Sequence, residues 1–206
     1  MLRNKLKYIE ENIKKKELIV FDLDDTIFPE AIWLYSAYKQ VSLIAFPGNI
    51  QKQKESLGVL IKIFQNEGRK NLFDKFVLLY PESKGTVEHY INLMRHQKIQ
   101  GGLFVFPWIN RIRKSILNKK IGILTNGNAL QQVNKISQIT DSIFRKSQFV
   151  ICCDKYVRKP NPEGLVVLLN SASVNKEDCI FFGDQETDRV CAKSCGVDFI
   201  KVIKGF

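Results

Sequence analysis

Leu18-Ile19-Val20-Phe21-Asp22-Leu23-Asp24-Asp25-Thr26 is the stretch on which the reading of this chain turns. Four consecutive apolar residues without alternation are the pattern of a strand buried on both faces, as in a parallel sheet covered by helices. The run ends on two carboxylates one residue apart. Four more runs share its character, at residues 121–124, 149–152, 179–182 and 199–202. Helical stretches separate most of them, so the chain is expected to build an α/β core around a doubly wound parallel sheet.

About a hundred residues without a convincing strand separate the first run from the second, far more than one crossover helix needs. They divide into helical segments at 31–45, 51–65, 70–79 and 84–97, broken at Phe46-Pro47-Gly48, Asn66-Glu67-Gly68 and Pro81. The expected organisation is a core of residues 1–27 and 104–206 with an inserted all-helical domain over 28–103. A length of 206 residues suits one core with one modest insertion.

Composition narrows the function. A hydrophobic fraction of 45% and a charged fraction of 26% are ordinary for a soluble protein, and no apolar run approaches the roughly 18 residues of a membrane span. Met1-Leu2-Arg3-Asn4-Lys5 lacks the apolar stretch and cleavage site of a secretory signal, so a cytoplasmic location is expected. Cys152, Cys153, Cys179, Cys191 and Cys195 show no CxxC spacing and are read as reduced thiols rather than disulfides or zinc ligands. The net charge of +11 raises the question of nucleic acid. Its densest patch, Lys14-Lys15-Lys16, closes a helix with Leu2, Leu6, Ile9 and Ile13 on one face, which reads as a solvated basic face. No recognition motif accompanies the charge, so nucleic-acid binding is not expected. Attraction of an anionic, phosphorylated small molecule is.

In an open parallel sheet, ligands bind beyond the carboxyl ends of the strands. Four segments there converge chemically: Asp22-Leu23-Asp24-Asp25-Thr26, Thr125-Asn126-Gly127-Asn128, Arg158-Lys159-Pro160 and Gly183-Asp184-Gln185-Glu186-Thr187-Asp188. Gathering Asp22, Asp24 and Asp184 without a cation would be repulsive. Mg²⁺ takes hard oxygen ligands and shares its shell with substrate phosphate, so the set suits a phosphoryl group. Thr125, Asn126 and Lys159 would serve its oxygens.

These segments resemble, in order, the four motifs of the haloacid dehalogenase superfamily. DxDx(T/V) is matched by Asp22, Asp24 and Thr26, the second-strand Ser/Thr by Thr125, the lysine by Lys159, and GDxxxD by Gly183, Asp184 and Asp188. The small-residue stretch from Ala192 to Gly196 also resembles the family's helix before its last strand. The resemblance implies a Rossmann-like core and makes Asp22 a nucleophile that forms an aspartyl-phosphate and Asp24 the general acid and base. It implies Mg²⁺ held by Asp22, the Asp24 backbone carbonyl and Asp184, with Asp188 in support. A carboxylate at Asp24 separates phosphatases and phosphomutases from the dehalogenase branch. The insertion resembles the helical C1 caps that close over the site and select small substrates.

The resulting expectation is a Mg²⁺-dependent phosphatase acting on a small soluble phosphomonoester. A phosphomutase is the alternative, and a non-catalytic or nucleic-acid-binding protein on the same fold the distant one. Outside this set, Asp25, Glu186, Arg158, His89 and His96 are expected to be capping or surface residues. Phe28, Pro29 and Glu30 are expected to border the site, and Tyr35 and Arg69 are candidate substrate contacts.

Overall fold

The computed structural model describes residues 2–147, 149–154 and 156–203, with side chains from Leu6 onward in the first helix. The apolar contribution expected of Leu2 lies outside these. In chain order the elements are α1 (Leu2–Lys14), β1 (Leu18–Phe21), α2 (Glu30–Ala45), α3 (Ile50–Glu67), α4 (Leu72–Leu79) and α5 (Val87–His96). There follow α6 (Pro107–Ile116), β2 (Lys120–Thr125), α7 (Ala129–Ser137), α8 (Ser142–Arg145), β3 (Phe149–Cys152), α9 (Glu163–Ala172), β4 (Cys179–Gly183), α10 (Glu186–Cys195) and β5 (Asp198–Lys201).

The five strands form one sheet in the order β3-β2-β1-β4-β5, with every pair parallel. All four residues of β1 are fully buried, which is why that run does not alternate. Phe21 packs with Phe182 and with Trp108 and Phe144 from α6 and α8. Leu18 and Val20 pack instead with Leu165 and Leu168 of α9 and with Cys191 and Ala192 of α10. Helices therefore cover both faces, and each such buried side chain contributes about 2 kcal/mol of transfer free energy. The chain winds outward from β1 in one direction through β2 and β3, and in the other through β4 and β5. The carboxyl end of β1 thus lies where the winding reverses, the usual place for a ligand crevice.

Two compact units emerge, one from the described residues of Met1–Glu30 and Gly101–Phe206, the other Ala31–Gln100. The second is helical, with Tyr38, Leu60, Phe73, Phe76 and Tyr90 in its interior. Two of its helices begin later than the sequence suggests. The helix expected from Lys70 starts at Leu72, because Asn71 takes a left-handed conformation with φ 53°. The helix expected from Lys84 starts at Val87, because the Thr86 hydroxyl caps it by accepting from the His89 backbone N–H. Among the described residues, no helix is long and apolar enough to cross a membrane.

Candidate active site

Asp22 continues β1 by one residue, donating its backbone N–H to the Phe182 carbonyl at 2.8 Å, so the sheet itself aims its carboxylate into the crevice. Lys159 meets it there: its Nζ donates to Asp22 Oδ1 at 2.6 Å and to the Leu124 carbonyl at 3.0 Å, and lies 2.7 Å from Asp188 Oδ1. The Lys159 backbone is clamped by one side chain. Asn126 Oδ1 accepts from the Lys159 N–H at 2.8 Å, and Asn126 Nδ2 donates to the Lys159 carbonyl at 3.0 Å. Asn126, expected to reach a phosphate, uses its amide oxygen and one of its two amide N–H donors to hold the lysine loop.

Asp184 arrives from the turn after β4 and Asp188 from the first turn of α10. Asp188 Oδ2 accepts from the Gln185 N–H at 3.0 Å in a capping box that opens α10. Gly183 is required beneath it, since a Cβ there would lie 2.5 Å from Asp188 Oδ2. Ligand oxygens of Asp22, Asp184 and Asp188 all lie within 4.8 Å of one another. Thr26 Oγ1 adds a donor to Asp184 Oδ1 at 3.5 Å. Burial raises the pKa of Asp22; Lys159 opposes this and Asp188 and Asp24 add to it, leaving Asp22 at about 7. Burial works against the charge of Lys159, but Asp22 and Asp188 more than offset it, so its pKa stands above the ordinary lysine value.

The Asp24 carboxylate points to a different partner. Lys135 Nζ donates to both of its oxygens, at 2.7 and 2.8 Å, and reaches Glu30 Oε1 at 3.4 Å. Gln132 Nε2 donates to Asp24 Oδ2 at 3.0 Å and to Thr125 Oγ1 at 2.7 Å. With that oxygen accepting, the Thr125 hydroxyl keeps its proton for a group in the crevice. A Cβ at Gly127 would lie 2.4 Å from the Gln132 amide, so a glycine lets this side chain pass.

Sequence reasoning missed Lys135 and Gln132, and it placed Glu30 only at the border of the site. The available signal was faint: Gln132, Lys135 and Ile136 are spaced i, i+3, i+4 and so share one face of α7. All three are buried, whereas Leu130 and Val133 are exposed.

The remaining candidates have other surroundings. Asp25 caps α2, accepting from the Glu30 N–H at 3.1 Å, and Glu186 pairs with Arg189 on the surface. Arg158, His89 and His96 are exposed. In the helical unit, the Arg69 guanidinium lies 5.9 Å from the centre of the Phe64 ring. Tyr35 borders a cavity of about 220 Å³ with Leu34, Ile61 and Phe64. None of the five cysteines forms a disulfide with another, and burial pushes Cys191 and Cys179 up to about 12, which makes them poor nucleophiles.

A parallel α/β sheet with an aspartate nucleophile candidate at its central strand, a buried lysine and an acidic cluster defines a class of hydrolase. The family model of haloacid dehalogenase-like hydrolases matches residues 19–202, and the chain belongs to that family. No curated protein matches the chain significantly. Among solved structures, a HAD-superfamily hydrolase of subfamily IA from Geobacter sulfurreducens is similar at 15% identity and TM-score 0.62, over 91% of this chain and 87% of that one. CbbY from Rhodobacter sphaeroides, solved with phosphate, is similar at 14% identity and TM-score 0.57, over 93% and 87%. A 2-haloacid dehalogenase from Pseudomonas syringae pv. tomato is similar at 19% identity and TM-score 0.55, over 90% and 86%. At these identities the likeness is one of fold.

Proposed function

We propose that this hydrolase is a Mg²⁺-dependent phosphatase that cleaves a small soluble phosphomonoester through an aspartyl-phosphate on Asp22. The observation that carries the reading is Lys159, with its ammonium on both Asp22 and Asp188 inside a group of three carboxylates. In the first half-reaction an Asp22 oxygen attacks phosphorus, the ester P–O bond breaks, and Asp24 gives the departing oxygen its proton. In the second, Asp24 takes a proton from water, which attacks the phosphorus of the aspartyl-phosphate and releases inorganic phosphate. Lys159 balances charge and the Thr125 hydroxyl donates to a phosphoryl oxygen.

The donor set fits Mg²⁺, because it consists of hard carboxylate oxygens within 4.8 Å and includes an Asp22 that burial holds at about 7 until a cation favours its ionised form. Asp22, Asp184 and the Asp24 backbone carbonyl would hold the ion, with Asp188 in support. When bound, it supplies charge neutralisation at the phosphoryl oxygens. The choice of ester is assigned to the inserted helical unit, and the free thiols support a cytoplasmic setting.

In a direct test, phosphate release from an aryl phosphate requires Mg²⁺ in the unaltered protein and vanishes in Asp22→Asn and in Asp24→Asn. Steady release by either folded variant at the rate of the parent would remove this assignment.

A further inference from the structure

Lys135 is the least exposed charged side chain at the site, at 0% exposure, and it comes from α7, outside the four motif segments. A lysine that deep survives only with partners. It has Asp24, contacted through both oxygens, and Glu30, the first residue of α2. A two-point contact to one ammonium, with Gln132 on a third line, fixes the plane of a carboxylate that a lone aspartate could rotate about its own bonds. Gln132 also holds Thr125 Oγ1, so one face of α7 sets the orientation of the proton-transfer group and of the hydroxyl donor together.

We infer that Lys135 is a positioning residue that holds the Asp24 carboxylate ready to accept the proton of the attacking water, so that its main effect falls on hydrolysis of the aspartyl-phosphate. The inference rests on the phosphatase reading above. It separates two half-reactions that an activated ester can resolve. 2,4-Dinitrophenyl phosphate expels its leaving group without a proton, so phosphorylation of Asp22 needs no acid. Breakdown of the aspartyl-phosphate still needs the base.

The experiment compares Lys135→Met with the parent protein on 2,4-dinitrophenyl phosphate in Mg²⁺, with folding checked by circular dichroism. The expected result is a kcat lowered roughly 10- to 100-fold, less than the loss of a general base itself because Asp24 is still present. KM should fall by a similar factor, kcat/KM should stay within about threefold, and a burst of dinitrophenol should precede steady turnover. A fall in kcat with KM unchanged or raised and no burst would show that Lys135 only shapes the fold, and would overturn the inference while leaving the phosphatase reading intact. A parent protein that hydrolyses no phosphate ester removes the phosphatase reading and the inference with it. Removing one charge from a buried group can prevent folding. In that event Lys135→Met/Glu30→Gln removes the ammonium together with the buried charge of Glu30 and is read by the same criteria.

Discussion

Two buried lysines hold two aspartates of a single loop, and they do so in different company. Lys159 Nζ contacts Asp22 at 2.6 Å and Asp188 at 2.7 Å, with Asp184 close by, so the first aspartate sits in an acidic group that suits a cation. Lys135 Nζ contacts both oxygens of Asp24 at 2.7 and 2.8 Å and reaches Glu30 Oε1 at 3.4 Å. The Asp24 carboxylate is absent from the metal-competent group. One device, a buried ammonium on a carboxylate, is thus used twice, and the surroundings differ in the way the proposed roles of nucleophile and proton carrier require. A two-residue spacing suffices, because Asp22 is still bonded to the sheet whereas Asp24 lies in the turn beyond it.

Substitution of the two lysines should give unequal results. Lys159→Met leaves Asp22 and Asp188 buried against each other, and the expected loss is about 3–5 kcal/mol of stability, the usual cost of orphaning a buried charge, read as a lowered urea midpoint. Phosphatase activity should fall at least about 100-fold. Equal stability of Lys159→Met and the parent protein would show that the acidic group does not depend on this lysine.

A smaller effect distinguishes the two aspartates by metal. Asp22 stands at about 7 in the folded protein, above its ordinary 3.8, so between these values the folded chain keeps a proton that the unfolded chain has released. The contribution of Asp22 to the stability of the metal-free protein therefore falls as pH rises from about 4 to about 7 and levels off above that. Mg²⁺ binding requires the ionised form, so the rise in Tm it produces should grow between about pH 5 and about pH 8, reaching about 3 °C in excess ion. Asp184→Asn should abolish the rise. Asp24→Asn should retain it, because only the backbone of that residue is assigned to the ion. Loss of the rise in both variants would erase the distinction drawn between the two aspartates.

Much of this site was legible in the sequence, and the division follows from where residues sit. Asp22, Thr125 and Asp184 directly follow buried apolar runs, and a parallel sheet gathers the carboxyl ends of its strands, so linear order alone placed them together. Lys159 was legible through its place between the third strand and the Gly183-Asp184 turn. Lys135 lies inside a helix, where a lysine normally extends to solvent. Its burial depends on α7 turning Gln132 and Lys135 inward while Leu130 and Val133 face out, the reverse of the usual amphipathic order. That reversal comes from tertiary contacts with Asp24 and Glu30, which no local pattern encodes. Helix starts were misplaced for a related reason. Asn71 and Thr86 end their preceding turns through a backbone conformation and a cap that only the folded chain fixes.

The most direct measurement is chemical trapping of residue 22. In Asp24→Asn with Mg²⁺ and 2,4-dinitrophenyl phosphate, phosphorylation proceeds without an acid and hydrolysis lacks its base, so the aspartyl-phosphate should accumulate. Rapid quenching and borohydride reduction convert an acyl phosphate to an alcohol, which peptide mass spectrometry reads as homoserine. The account predicts a burst of about one dinitrophenol per chain and homoserine at position 22. A burst with position 22 still aspartate, or a modified residue elsewhere, would contradict it.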